Sequence, residues 1–218
     1  EAERLPGVVV EVEPVRQYLD ETGAVAGELL AHVVGYTGAV SREELETLAD
    51  DGYLRDDVIG KDGVEASFEA ALRGRYGTQL VERDASGREL KVIETLTEPE
   101  PGTNLMLTID GEVQRIAAEA LTWGMEVADV SQGVTIVMNP QTGEILAMVS
   151  LPAYDNNRFA TGISAEDFNA YLADPDRPLR NHAISDIYPP GSTYKLVTGI
   201  AALEEGVTTA AREWPTYG

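Results

Sequence analysis

The chain has 218 residues, 16 Lys and Arg against 38 Asp and Glu for a formal charge of −22, 43% hydrophobic residues and no cysteine. That apolar content builds a core, and the length suits one large domain or two small ones. The charge excludes nucleic acid and basic attachment to a membrane surface, and the missing cysteine excludes disulfides, thiolate zinc sites and cysteine nucleophiles.

Apolar runs such as GVTIVM and EILAMV fall far short of the roughly 20 residues a membrane-spanning helix needs. Glu1 and Glu3 do not fit the basic start of a signal peptide, so the chain is expected to be soluble as made or to have lost a start. VVVEV at 8–12 predicts a short strand. Ser41 with Glu44 forms a capping box for a helix carrying Leu45 and Leu48 that stops before Gly52. A second helix is expected where Val64, Phe68, Ala71 and Leu72 recur, ending between Gly74 and Gly77. QLVERDASGRELKVIE predicts a hairpin turning at Asp84 to Gly87, and TLTEPEPGTN has the composition of a domain connector.

Beyond the connector, LMLTI predicts a strand and Asp110 the cap of a helix whose apolar stripe is Val113, Ile116, Ala117, Ala120 and Leu121, with Gly124 near its end. VTIVM (134–138) and EILAMV (144–149), joined by Asn139 to Gly143, predict an antiparallel hairpin buried on both faces. Ser164 caps a further helix with Phe168, Tyr171 and Leu172 on its apolar face and Pro175 as its stop, and TYKLVTGIAALEEG predicts a last one ending at Gly206. The fold class read from this pattern is α+β, with no internal repeat.

Chemistry concentrates in Tyr188-Pro189-Pro190-Gly191-Ser192-Thr193-Tyr194-Lys195. The prolines and glycine put Ser192 in a first helical turn, beside unpaired N–H groups and the positive end of the dipole. Lys195 follows three residues on, on the same face. A serine hydroxyl attacks an acyl group only when a base takes its proton, and a lysine whose pKa burial lowers can be that base. An N–H at the helix start would steady the resulting oxyanion. An isolated S-x-x-K is a weak signal, and the plain alternative makes Ser192 an N-cap and Lys195 a solvated charge.

Other candidates are plainer. His32 and His182 are far apart in sequence and read as surface or packed histidines rather than metal ligands. Asp155, Asn156 and Asn157 read as a turn, Asp50-Asp51 and Asp56-Asp57 as solvated faces, and Tyr76 with Arg73 and Arg75 as a local contact patch. No metal or cofactor is expected.

The segment YPPGSTYKLVTGIAALEEG resembles the active-site serine segment of penicillin-binding proteins, whose motifs are S-x-x-K, S-x-N and K-T-G. VGYTG, IGKDGVEASFEAALRGRYG, LTIDGEVQRIAAEAL, NPQTGEILAMVSLPAYDNNRF and PLRNHAISDIYPPGS are similar, in that order, to successive segments of class B members. YPPGST and RQYL…AHVVGYTG resemble the elongation type, penicillin-binding protein 2.

The resemblance implies a small mixed pedestal (dimerisation-type, non-catalytic) over 1–102. It implies that 103–218 is the first part of an antiparallel-sheet, helix-flanked transpeptidase domain. Ser192 would be the nucleophile acylated by peptidoglycan stem peptides or β-lactams in a D,D-transpeptidase, and Lys195 its proton acceptor. The pedestal would dock a rod-shape scaffold protein and the glycan polymerase. The enzyme would work on the outer face of the bacterial cytoplasmic membrane, held by an N-terminal helix outside this sequence. S-x-N and K-T-G are absent from the 218 residues, so this chain alone is expected to be inactive. Two other readings stand beside it: a non-catalytic binding module, and a β-lactam sensor or serine β-lactamase relative.

Overall fold

The computed structural model describes residues 15–20, 22–85, 87 and 89–213. The strand expected at 8–12 lies outside them. The chain forms two compact units, Glu1–Ile184 and Ser185–Gly218.

In the first unit, α1 (Ala31–Val34) leads into β1 (Thr37–Ala39), and α2 (Arg42–Leu48) runs on as a 3-10 turn, Ala49–Asp51. The capping box forms as expected: Glu44 N–H donates to Ser41 Oγ at 3.2 Å and Ser41 N–H to Glu44 Oε2 at 2.7 Å. Gly52 ends the helix at φ +77°, where glycine avoids the Cβ penalty. β2 (Val58–Gly60) pairs antiparallel with β1.

The expected second helix is two, α3 (Gly63–Ser67) and α4 (Glu69–Leu72), broken at Phe68, which is exposed and no core residue. Around the break Glu65 pairs with Arg16 at 2.9 Å and Glu69 accepts Gly60 N–H at 2.8 Å. Gly35 is needed where it stands, because a Cβ there would lie 1.9 Å from Asp62 O.

β3 (Thr78–Arg83) and β4 (Glu89–Thr97) form the expected hairpin, with Gly87 N–H bonded to Asp84 O at 2.9 Å. The connector after it is strapped down: Arg75 and Glu100 exchange backbone bonds, and Thr103 N–H reaches Ala71 O at 2.8 Å. LMLTI is not a strand. Met106 is 94% exposed, and the run reaches the next sheet only at its end, through Thr108 Oγ1 to Ile145 O and Asp110 N–H to Leu146 O.

α5 (Gly111–Ala128) starts on Asp110, whose side chain accepts Val113 N–H at 3.0 Å. It packs on the hairpin of β5 (Gly133–Met138) and β6 (Ile145–Leu151) through Val113, Ala117, Ala118 and Leu121 against Ala147 and Val149. Ile116 and Ala120 face out, and the helix passes Gly124 to end at Asp129 in the left-handed region. Burial on both sheet faces is not found among the described residues: Ile136 and Met138 are 46% and 53% exposed. One helix covers one face, and β5 alternates accordingly.

α6 (Asn156–Ala160), α7 (Ala165–Ala173) and α8 (His182–Ser185) follow. Ser164 caps α7 as expected, accepting Asp167 N–H at 3.0 Å, but Leu172 points outward while Phe168 and Tyr171 pack. Their core is Ala31, Tyr154 and Phe159, ringed by Tyr36, Ile163 and Leu179. Tyr154 meets His32 and Tyr36 edge to face at 5.3 Å and 5.8 Å. Packing therefore crosses position 102, joining residues near 31–36 to residues near 154–179. In the second unit a 3-10 turn, Gly191–Tyr194, runs directly into α9 (Lys195–Glu204).

Candidate active site

The local sequence explains the turn that carries Ser192. Pro190 enters at φ −67° and ψ −18°, and Gly191 takes φ +53°, which glycine adopts without penalty. Lys195 N–H then bonds back to Ser192 O and Thr193 O, closing the turn onto α9. In 3-10 geometry side chains three apart eclipse, so the backbone sets Ser192 and Lys195 on one side.

Of the plain alternative, Ser192 is not an N-cap, since those positions are Pro190 for the turn and Tyr194 for α9, while Lys195 is exposed as that reading expects. Ser192 Oγ makes no hydrogen bond among the described residues. Ser192 and Lys195 are both exposed, with no bond between Oγ and Nζ among the described residues. α9 is apolar around its circumference, with Leu196, Val197 and Ile200 all more than half exposed. A helix of that composition belongs in a core.

The other sequence candidates have structural duties. His32 and His182 are both buried, each bonded through Nε2 to a carbonyl, Pro178 O at 2.8 Å and Asp176 O at 3.1 Å. Burial is the main cause that lowers the His32 pKa, and the nearby His182 adds to it. Among the described residues no group of three or more His, Cys, Asp or Glu is placed to hold a metal, and no helix is long and apolar enough to cross a membrane.

Asp57 is not a solvated charge but is buried, accepting Leu54 N–H, Tyr76 O–H and Arg73. Arg73 in turn lies 3.5 Å over the Tyr53 ring, so of the expected contact patch Arg73 is turned inward while Tyr76 and Arg75 stay exposed. Asp155 caps α6, as a turn residue should.

Sequence reasoning missed a set of buried and half-buried amides. Asn157 Oδ1 accepts Tyr18 N–H at 2.8 Å while its Nδ2 donates to Tyr18 O at 3.2 Å. Asn156 donates to Gly35 O, Asn181 to His32 O, and Gln114 to both Leu29 O and Met148 O. Tyr154 O–H adds Ala31 O at 3.1 Å. Side chains from 114–181 thus satisfy the backbone of 18–35, and the doubled asparagine after Asp155 was the one sequence signal of it.

Two family models match this chain: the penicillin-binding protein dimerisation domain over residues 1–107 and the penicillin-binding protein transpeptidase domain over 133–217. The chain belongs to the class B penicillin-binding proteins. This class B chain is 35% identical to the peptidoglycan D,D-transpeptidase MrdA of Acinetobacter baumannii over 98% of its own length and 29% of that protein's. To MrdA of Escherichia coli it is 37% identical, covering 94% of the chain and 31% of the relative. To FtsI of the same organism it is 29% identical over 94% of the chain, which aligns it with the elongation type.

A solved complex of PBP2 and MreC from Helicobacter pylori matches with a TM-score of 0.70 at 30% identity, over 87% of this chain and 34% of that one. A structure of a peptidoglycan synthase complex that coordinates polymerization and crosslinking matches at 0.69 and 35%, over 84% and 33%. The chain thus spans 29% to 31% of the length of these MrdA relatives.

Proposed function

We propose that the whole protein is a peptidoglycan D,D-transpeptidase of cell-wall elongation in which Ser192 is acylated by a stem peptide, or by a β-lactam that imitates it, and Lys195 takes the serine proton. The observation that carries this reading is the Ser192 turn: an accessible hydroxyl that is no cap, on a 3-10 turn that runs directly into Lys195 at the start of an apolar helix. Serine acyl transfer needs that pair together with oxyanion donors. Attack by Oγ on the penultimate D-alanine carbonyl of a stem peptide would expel the terminal D-alanine. An amine of a second stem peptide would then take the acyl group and free the serine. The apolar girdle of α9 is the surface the rest of a transpeptidase domain would cover, and such cover would desolvate Lys195.

The division proposed is a pedestal over 1–102 and a transpeptidase part from 103 onward, working at the outer face of the cytoplasmic membrane. The β3–β4 hairpin supports docking of a rod-shape scaffold and a glycan polymerase on the pedestal, because it exposes Leu90, Val92, Ile93 and Leu96. The relatives solved with MreC and within a synthase complex support the same assignment.

The deciding experiment labels the full-length protein and its Ser192→Ala variant with fluorescent penicillin. Labelling is expected in the first and absent in the second, and label surviving the substitution would refute the serine assignment. The 218-residue chain alone is expected to trap no penicillin at stoichiometric level, because its lysine is solvated.

A further inference from the structure

The turn that presents Ser192 is held by the residue after it. Thr193 donates its backbone N–H to Pro190 O at 3.2 Å, and its hydroxyl donates to that same carbonyl. Pro189 and Pro190 have no N–H to give, and Gly191 resists bending least of any residue, so the loop has few restraints of its own. A doubly bonded Pro190 carbonyl is the fixed point at which that loop becomes a turn.

The division of labour between adjacent hydroxyls matters. Ser and Thr at turns tend to bond nearby backbone, and a serine so engaged is a poorer nucleophile because its hydroxyl is already committed. Here Thr193 makes that local bond and Ser192 Oγ makes none among the described residues. Lys195 N–H bonded to Ser192 O sets the relation of Ser192 to Lys195, and the Thr193–Pro190 contact fixes the turn on which Ser192 enters it.

We propose that Thr193 is the positioning residue of the nucleophile: its hydroxyl grips Pro190 O, fixes the turn that aligns Ser192 with Lys195, and leaves Ser192 Oγ free to react. The inference rests on Ser192 being the acylated residue. Valine at this position keeps the β-branch and the backbone bond and loses only the hydroxyl bond. Serine keeps the hydroxyl and loses the methyl.

The test measures acylation of the full-length protein by fluorescent penicillin across a concentration series, separating the maximal rate from the half-saturating concentration. Thr193→Val is expected to lower the maximal rate about five- to tenfold, the scale of one net hydrogen bond, with Thr193→Ala at least as slow. Thr193→Ser is expected to stay within about twofold of the parent, and half-saturation to shift by less than about twofold in all three. The parent rate in Thr193→Val, or a serine variant as slow as the valine one, would overturn the proposal, as would an effect confined to half-saturation. Should the valine variant not fold, the alanine variant carries the same expectation. Labelling of Ser192→Ala would instead remove the nucleophile assignment beneath it, a result distinct from any of these.

Discussion

Replacing Gln114 by leucine tests the buried amide set at its most connected member. Gln114 is 1% exposed on α5, and its amide faces the outer edge of β6 as a neighbouring strand would. Oε1 accepts Met148 N–H at 2.8 Å, and Nε2 donates to Met148 O at 3.0 Å and to Leu29 O at 2.9 Å. Leucine keeps the helix and most of the volume but leaves Met148 N–H, Met148 O and Leu29 O without their side-chain partner. Each group left so costs about 1–3 kcal/mol, nearer the lower end at half-buried positions, and added apolar burial offsets on the order of 1 kcal/mol, so the net loss is about 3 kcal/mol. For a unit of this size that lowers Tm by roughly 6–12 °C. Thermal unfolding followed by circular dichroism measures it. Gln132→Leu is the control, because that exposed amide has one long bond of 3.4 Å to Asp176 and should change stability by less than about 0.5 kcal/mol. If Gln114→Leu unfolds within about 3 °C of the parent, or no lower than the control, the bridging account of this residue is wrong.

Ser41→Ala removes half of the capping box and should cost about 1 kcal/mol in urea unfolding, whereas Ser41→Asp should retain most of it; equal midpoints for all three would refute the cap. Because burial lowers the pKa of His32 from 6.5, the unfolded chain binds the proton more readily than the folded one. Stability from this group is therefore complete above the unfolded pKa and falls as pH drops below it. Tm should decline from about pH 7 towards about pH 5, with a shallower slope in His32→Gln, and identical slopes would exclude His32 as the cause.

Elements whose signals sit within a few residues were legible from the start. The Ser41 and Ser164 caps, the Asp110 cap, the turn at Gly87 and the hairpin across Asn139 to Gly143 rest on side-chain or backbone bonds within their own neighbourhood. The proline and glycine pattern before Ser192 likewise told where the helix begins, though the turn is 3-10 and Ser192 sits inside it rather than capping it.

Faces and partners were set elsewhere. α5 turns Ala117 and Ala118 inward rather than Ile116 because the hairpin it meets offers Ala147 and Val149, a fit that depends on both partners at once. LMLTI had strand composition, but Gln114 and Asp110 had already taken bonds along the β6 edge. Asn157 looks like a turn residue until Tyr18, 139 positions away, is brought to it, and Asp57 looks solvated until Arg73 and Tyr76 close over it. Caps and turns could be read along the chain because short-range bonding decides them. Which amides were buried, and for whom, depended on contacts formed only once distant segments packed together.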